Sequence, residues 1–193
     1  SGENKELSKE ALFRQADAAF MQKDFDAALK LYDRAIAANT GDVDYARYQK
    51  ALILGLQNKS AEKVELLKTI VQKGNAKIKD EASLELATEY INLDKHNEAI
   101  PLLKKLDQNQ TNVSIRSKAA YLLAYAYQDN AQNDLAIAAY KTYIAQYPTA
   151  ADRNTALKAL STLYSSKPEE YEQFLKQESI TDVSSTEVES VFY

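Results

Sequence analysis

The sequence predicts an all-α protein, an α-α superhelix (solenoid) of about four helix hairpins followed by a smaller C-terminal capping hairpin. Apolar residues recur with helical spacing in residues 117–150, on both sides of a short polar turn. Similar patterns recur upstream, and one hairpin alone could not bury both of its apolar stripes. Glycine and proline are scarce, at 4 and 3 of 193 residues, which suits long helices with short turns. The first stripe consists of Ala119, Leu122, Leu123, Ala126 and Tyr127.

Capping and stop residues place the ends of the predicted helices. Ser8 is expected to begin the first helix, which runs to about residue 22, and its partner begins near Asp24. Asp42, Ser60 and Asn133 are expected to cap later helices in the same way. Glycines that follow apolar stripes predict two helix ends, because glycine readily adopts the conformations that close a helix. These glycines are Gly41 and Gly74.

The two ends of the chain differ from its middle. Residues 1–8 are polar and expected to fray, whereas residues 9–176 are expected to form the repeat domain. After Pro148, a ninth helix and a short tenth one, starting at a capping box from Ser166 to Glu169, are expected to cover the last repeat. Residues 177–193 are acidic and rich in Ser and Thr. They are interpreted either as a disordered tail or as the start of a truncated further helix.

Small residues recur at one phase throughout the chain. The leading alanines are 35, 36 and 37 residues apart, and each is followed by a hairpin with a similar pattern. With its small residues, tyrosines and closing Pro148, the fourth hairpin resembles the tetratricopeptide repeat, whose period is about 34 residues. The resemblance implies that the small residues lie where the two helices of a hairpin touch. The leading alanines are Ala16, Ala51, Ala87 and Ala124, and the fourth hairpin continues with Tyr127, Ala136, Tyr140 and Tyr143.

The second hairpin departs from the family pattern. Lys63 stands where the pattern has a small residue, at the position that Ala28, Ala99 and Ala136 occupy in the other hairpins. Three of the four repeats also lack the closing proline. We therefore expect the second hairpin to be packed less tightly than the others.

Composition and motifs argue against several classes of function. The 24 basic and 28 acidic residues are spread along the chain, so no cationic stripe favours nucleic-acid binding. No apolar run approaches the roughly 20 residues of a membrane-spanning helix. The chain has no cysteine and a single histidine, His96, which is expected in the turn of the third hairpin. No nucleophile elbow or glycine-rich phosphate loop is present. We expect no catalytic, metal or cofactor site and no enzyme activity.

The family resemblance implies that the first helix of each hairpin lines a concave groove that binds a peptide or a partner protein. The family's clamp for a C-terminal carboxylate is not expected, because Phe13 and Asp17 occupy its first two positions. Three alternatives remain open: neighbouring first helices bury much of this surface, the tail with Val188, Val191 and Phe192 fills it, or further repeats downstream cover it. The expected groove consists of Phe13, Asp17, Phe20, Met21, Tyr48, Leu52, Leu56, Leu84, Thr88, Ile91, Tyr121, Tyr125 and Gln128.

The end of the fourth repeat carries a more specific resemblance. The run AIAAYKTYIAQYPTAADRNTAL, residues 136–157, is similar to the repeat ends of bacterial proteins linked to Tol–Pal function and outer-membrane β-barrel assembly. It implies a protein-binding scaffold in a bacterial cell-envelope complex, in the periplasm or at the outer membrane, with a cytoplasmic location as the alternative. The alternative function is a structural spacer or self-assembly module within a larger envelope protein, with self-association through the tail.

Overall fold

The computed structural model describes residues 2–39, 42–108, 112–178 and 180, and side chains from residue 11 onward except that of residue 76. The described residues form ten α-helices and no β-strand. The chain divides into two compact units, residues 1–89 (unit 1) and residues 90–193 (unit 2). The helices are α1 Gly2–Met21, α2 Phe25–Ala37, α3 Val43–Leu56, α4 Ser60–Lys73, α5 Ala76–Asn92, α6 His96–Asp107, α7 Val113–Asp129, α8 Asn133–Gln146, α9 Arg153–Leu163 and α10 Pro168–Gln177.

The small residues of the predicted frame lie in the cores of the two units. In unit 1, Ala16 and Ala28 are fully buried beside Tyr32. In unit 2, Ala99 and Ala136 are also fully buried. A methyl group at these positions lets two helices approach closely, as the repeat pattern predicted.

A left-handed residue in each of the four hairpin turns confirms the repeat register independently. Lys23, Asn58, Asp94 and Ala131 all have positive φ angles, between 54° and 61°, and lie 35, 36 and 37 residues apart. In each turn the next residue donates its N–H to a carbonyl five residues back, for example Gln132 to Tyr127 at 2.8 Å. These are the bonds of a helix end closed by a left-handed residue. None of the four is glycine, so the sequence gives little sign of them.

Some predicted helix starts are confirmed and others are wrong. Asp24 and Asp42 cap α2 and α3, accepting the N–H groups of Ala27 at 3.1 Å and Tyr45 at 3.0 Å. Ser60 and Asn133 are instead the first residues of α4 and α8, so each helix starts one residue earlier than a cap there would give.

The two ends of the described chain also correct the prediction. α1 begins at Gly2, and Ser8 therefore lies inside this helix. α10 begins at Pro168 after Lys167, which makes no side-chain cap bond, so the capping box from Ser166 is not formed. Of the other expectations, Gly41 and most of the tail, with Val188, Val191 and Phe192, lie outside the described residues. Gly74 does end α4, in an extended conformation.

The predicted C-terminal hairpin is present in unit 2. The Tyr171 hydroxyl of α10 donates to the Leu157 carbonyl of α9 at 3.1 Å, and the rings of Tyr164 and Tyr171 lie 6.1 Å apart. Phe174 and Leu175 of α10 are buried. In the part of the chain that the structure describes, no helix is both long enough and apolar enough to cross a membrane.

Lys63 does not loosen the second hairpin at its own position. The side chain is buried, with only 6% of the residue exposed, and it runs along Gly55 of α3. A Cβ atom added at Gly55 would lie 3.1 Å from both Cδ and Nζ of Lys63. The missing side chain at Gly55 makes room for the lysine, so Lys63 itself is closely packed. Looser packing of the second hairpin as a whole stays a prediction.

Candidate partner-binding faces

Nine of the expected groove residues lie in unit 1, and we call them the unit 1 face. Met21 and Leu56 are its most exposed members, with 79% and 61% of their surface accessible. They end α1 and α3 and lie 35 residues apart, which places them at equivalent positions of two successive repeats. The other seven residues are half-buried: Phe13, Asp17, Phe20, Tyr48, Leu52, Leu84 and Thr88.

Asp17 has a structural role within the unit 1 face. Its Oδ1 accepts hydrogen bonds from the hydroxyl of Tyr32 at 2.5 Å and from that of Tyr45 at 3.1 Å. Burial, followed by interactions with Asp17, raises the pKa of both hydroxyls, that of Tyr45 to about 12. The carboxylate thus joins α1, α2 and α3, and both hydroxyls remain protonated donors near neutral pH.

Aromatic rings extend the unit 1 face along its first helices. The ring centroids of Phe13 and Tyr45 lie 6.3 Å apart, and those of Phe20 and Phe25 lie 6.0 Å apart, both pairs in tilted arrangements. Such aromatic pairs contribute about 0.5–1.5 kcal/mol beyond the area they bury. The rings are therefore held in place while part of their surface remains accessible.

Carboxylates lie close to Tyr48 on the same face. Burial raises the pKa of the Tyr48 hydroxyl to about 12, and the charges of Glu85 and Glu81 add to the effect. Glu85 also forms an ion pair, since its Oε1 lies 2.6 Å from the buried Nζ of Lys63. Glu89 Oε2 contacts the same Nζ at 2.7 Å. Lys63 therefore neutralises only part of this acidic region.

The cluster of Lys63, Glu85 and Glu89 was not predicted from the sequence. These glutamates are 22 and 26 residues away in sequence, and only the packing of α5 beside α4 brings them to the lysine. The sequence contains one indication of it. Lys63 stands at a small-residue position, and Gly55, eight residues earlier, leaves space for a long side chain. Burial by itself lowers the pKa of Lys63, but hydrogen bonds to both glutamates outweigh it and raise the pKa.

The remaining expected groove residues lie in unit 2, and we call them the unit 2 face: Ile91, Tyr121, Tyr125 and Gln128. Tyr125 is exposed over 39% of its surface. Tyr121 is half-buried, with its ring 5.6 Å from that of Tyr143 and 6.4 Å from that of Tyr140. Ile91 is buried and therefore does not offer a partner surface, contrary to the expectation.

Gln128 holds the unit 2 face together much as Asp17 holds the unit 1 face. Its Oε1 accepts the hydroxyl of Tyr140 at 2.8 Å, which joins α7 to α8. Tyr143 and Tyr147 continue the aromatic row with ring centroids 5.5 Å apart, and Arg116 Nε donates to the Tyr147 hydroxyl at 3.1 Å. Asp17 and Gln128 thus bond to tyrosines of the chain itself, whereas the Thr88 hydroxyl donates to the Leu84 carbonyl at 2.9 Å.

Comparisons with known proteins agree with this architecture. The family described as tetratricopeptide repeat matches residues 3–43 and 118–150. These segments cover most of the first and of the fourth hairpin. A comparison with curated protein sequences finds no match.

Several solved structures share the fold at low sequence identity. A crystal structure of MamA protein is 20% identical with a TM-score of 0.71, over 88% of this chain and 89% of that one. A MamA chain from Desulfovibrio magneticus RS-1 is 15% identical with a TM-score of 0.68, over 91% and 97%. The TPR-like repeats of a putative kinesin light chain from Podosopora anserina are 19% identical with a TM-score of 0.64, over 95% and 94%. The predicted fold class, an all-α solenoid of tetratricopeptide-like hairpins, is confirmed.

Proposed function

We propose that this protein is a non-catalytic scaffold that binds a peptide or a partner protein on the unit 1 and unit 2 faces. The observation that carries the proposal is the aromatic surface of α7, where exposed Tyr125 adjoins half-buried Tyr121. Tyrosine combines a large apolar ring with a polar tip, and it is enriched at protein interfaces and among their strongest contact residues. The fold fits this role, because tetratricopeptide-like repeats present long helical surfaces to other polypeptides.

Unit 1 supports the same proposal with aliphatic side chains. Met21 and Leu56 are large apolar residues that are mostly exposed, at the ends of consecutive first helices. Repetition of exposed apolar side chains at equivalent positions is more informative than a single exposed leucine, which is normal on any protein surface. Methionine also adapts readily to the shape of a partner.

Internal hydrogen bonds prepare both faces for binding. The bonds of Asp17 to Tyr32 and of Gln128 to Tyr140 hold first and second helices together before a partner arrives. A preorganised surface loses less conformational freedom on binding, which favours affinity. Asp17 and Gln128 therefore serve as positioning residues, whereas Tyr125, Met21 and Leu56 are the residues that would contact the partner.

We propose a bacterial cell-envelope complex as the setting, in the periplasm or at the outer membrane. The support is the resemblance of residues 136–157 to the repeat ends of envelope proteins. Fractionation of the source organism, with detection of the endogenous chain by an antibody, tests the location. Recovery with cytoplasmic markers would contradict it.

The alternative function is a self-assembly module. Leu135 on α8 is half exposed and lines a cavity of about 250 Å³ together with Leu123 and Ala139. This apolar surface lies between α7 and α8 of the fourth hairpin, and a self-assembly module would use it to receive another copy of the chain. The two functions therefore use different sides of one hairpin, which makes them separable.

A photo-crosslinking amino acid placed at position 125 or at position 135 separates the two functions. A scaffold should crosslink from position 125 to a discrete polypeptide of the source organism, whereas position 135 should give little product. A product with twice the mass of the chain, formed from position 135 by the purified protein, would support self-assembly instead. Absence of any product from position 125 in cell extracts would contradict the scaffold.

Alanine variants provide a matched second measurement. Tyr125→Ala and Leu135→Ala each shorten an exposed side chain of the same hairpin, so both should leave the unfolding midpoint nearly unchanged. Partner capture should fall by about tenfold or more with Tyr125→Ala, as expected for an aromatic interface residue. It should not change with Leu135→Ala. Equal capture by both variants would remove the unit 2 face from the proposal.

A further inference from the structure

Three side chains from two consecutive repeats meet in unit 2. Asp94 lies in the turn between α5 and α6, His96 is the first residue of α6, and Asp129 is the last residue of α7. One ligand atom from each lies within 4.8 Å of the others, and His96 Nε2 is 3.1 Å from Asp129 Oδ2. We propose that Asp94, His96 and Asp129 form a binding site for one Zn²⁺-like transition-metal dication. The sequence analysis expected no metal site anywhere in the chain.

The burial of His96 is a separate observation that points to a ligand. Only 7% of the residue is exposed, and its Nε2 is directed at the carboxylate of Asp129. Its other nitrogen, Nδ1, is buried and has no hydrogen-bond partner within the described part of the chain. Nε2, on the side of the two carboxylates, is therefore the ring nitrogen that is available to a ligand.

The geometry between Nε2 of His96 and Asp129 favours a positively charged occupant. If the neutral ring carries its proton on Nδ1, the lone pair of Nε2 faces a carboxylate oxygen at 3.1 Å, and the two repel each other. A metal ion between them converts this repulsion into two attractive contacts. A proton on Nε2 would also remove the repulsion, so a direct hydrogen bond or ion pair between His96 and Asp129 is the competing arrangement.

The donor set selects the class of metal. One imidazole nitrogen with two carboxylate oxygens suits Zn²⁺ and related transition metals, whereas Ca²⁺ and Mg²⁺ favour sites made of oxygen alone. Ligands bound to zinc at about 2.0–2.2 Å lie about 3.3 Å apart in a tetrahedral site. His96 and Asp129 already have nearly this separation. Asp94 is exposed, so its side chain is free to complete the site, and a fourth position remains for water.

A metal at this position would join two successive repeats. Asp94 lies in the turn of the third hairpin and His96 begins its second helix, whereas Asp129 ends the first helix of the fourth. Because a ligand that binds only the folded state stabilises it, zinc should raise the unfolding temperature of the chain. This consequence is independent of whether a partner binds the unit 1 or unit 2 face.

The test uses the full chain after removal of metals with EDTA. Calorimetric titration with zinc chloride should give about one bound ion per chain. His96 is the only histidine, so its ring signals in an NMR spectrum report directly on the site, and they should shift on addition of zinc. Asp94→Asn and Asp129→Asn should each weaken zinc binding at least about tenfold, since loss even of an outer-shell partner has an effect of that size.

Two controls distinguish zinc binding at this site from nonspecific attraction of cations to an acidic protein. Asp26→Asn makes the same change at an exposed carboxylate on α2 and should leave zinc binding unchanged. Magnesium chloride should not shift the histidine signals. The proposal is overturned if those signals respond to pH but not to zinc, which is the behaviour of the ion pair alone. Zinc binding of wild-type strength in both aspartate variants, or equally tight binding of magnesium, would overturn it as well.

Discussion

Ala136 of α8 and Lys63 of α4 occupy equivalent positions in the fourth and second hairpins, yet one side chain is a methyl group and the other is a long cation. Ala136 is fully buried and needs no special neighbour. Lys63 is nearly as buried, but it has Gly55 beside its stem and two glutamates at its ammonium group. The small-residue position of this repeat therefore does not require a small residue. It accepts a lysine where neighbouring residues leave space for the side chain and neutralise its charge.

Removal of the Lys63 charge should have the largest effect. Lys63→Ala leaves Glu89 buried without its cation and opens a space beside Gly55, so the free energy of unfolding should fall by about 3–5 kcal/mol. Urea denaturation followed by circular dichroism measures the loss. The triple variant Lys63→Met, Glu85→Gln, Glu89→Gln should recover most of it. A loss below about 1 kcal/mol in the single variant would mean that the cluster is not stabilised as its geometry indicates.

Overpacking of the fourth hairpin should have the next largest effect. Ala136→Phe forces a ring into a fully buried methyl position and should reduce the free energy of unfolding by about 1–3 kcal/mol. The same change at Ala131, which is exposed in the turn, should have little effect on the urea midpoint. Equal losses at both positions would show that the repeat register is misplaced.

The effects of Gly55→Ala and Lys63→Ala on the free energy of unfolding should not be additive, and the coupling energy between them should be about 1 kcal/mol. In the wild type, Gly55→Ala places a Cβ 3.1 Å from Cδ and Nζ of Lys63, and this contact offsets the usual gain from alanine in a helix. In the Lys63→Ala background the contact is gone, so the same change should stabilise the protein. Urea denaturation of the four variants gives the coupling energy. Strict additivity would mean that the close approach has no energetic consequence.

The cluster should also make stability depend on pH in a way that the fourth hairpin does not. Burial alone would raise the pKa of Glu89, but hydrogen bonds from Lys63 and Ser60 and the charge of Lys63 lower it below 4.5. Its contribution is therefore complete above pH 4.5 and is lost as the pH falls through the lower, folded-state pKa.

The pKa of Lys63 is raised above 10.5, so its contribution is complete below that pH and is lost as the pH rises further. Urea denaturation across the acid range should thus show a steeper loss of stability for the wild type than for the triple variant. Parallel curves would contradict the assigned direction of the Glu89 shift. The opposite arrangement, with greater acid sensitivity in the triple variant, would contradict the role of the cluster altogether.

The sequence predicted the repeat frame well because burial imposes a period on it. Ala28, Ala99 and Ala136 lie at one phase and are all fully buried. The predicted starts of α4 and α8 were one residue too late. Ser60 and Asn133 are the first helical residues, and the residues before them take the N-cap positions without a side-chain bond, which the sequence does not signal. The groove prediction selected the accessible residues Tyr125, Met21 and Leu56, whereas its remaining members are half-buried or, for Ile91, buried.

The sequence by itself determined the all-α repeat architecture and the phase of its small residues, because helical spacing and the size of a side chain are local properties. Only the tertiary structure decided that Lys63 lies between two glutamates, that Asp17 and Gln128 hold tyrosine hydroxyls, and that His96 faces Asp129. These pairs are 12 to 33 residues apart in sequence. Contacts across such distances depend on how helices pack, and an ion pair or hydrogen bond leaves no periodic pattern in the chain.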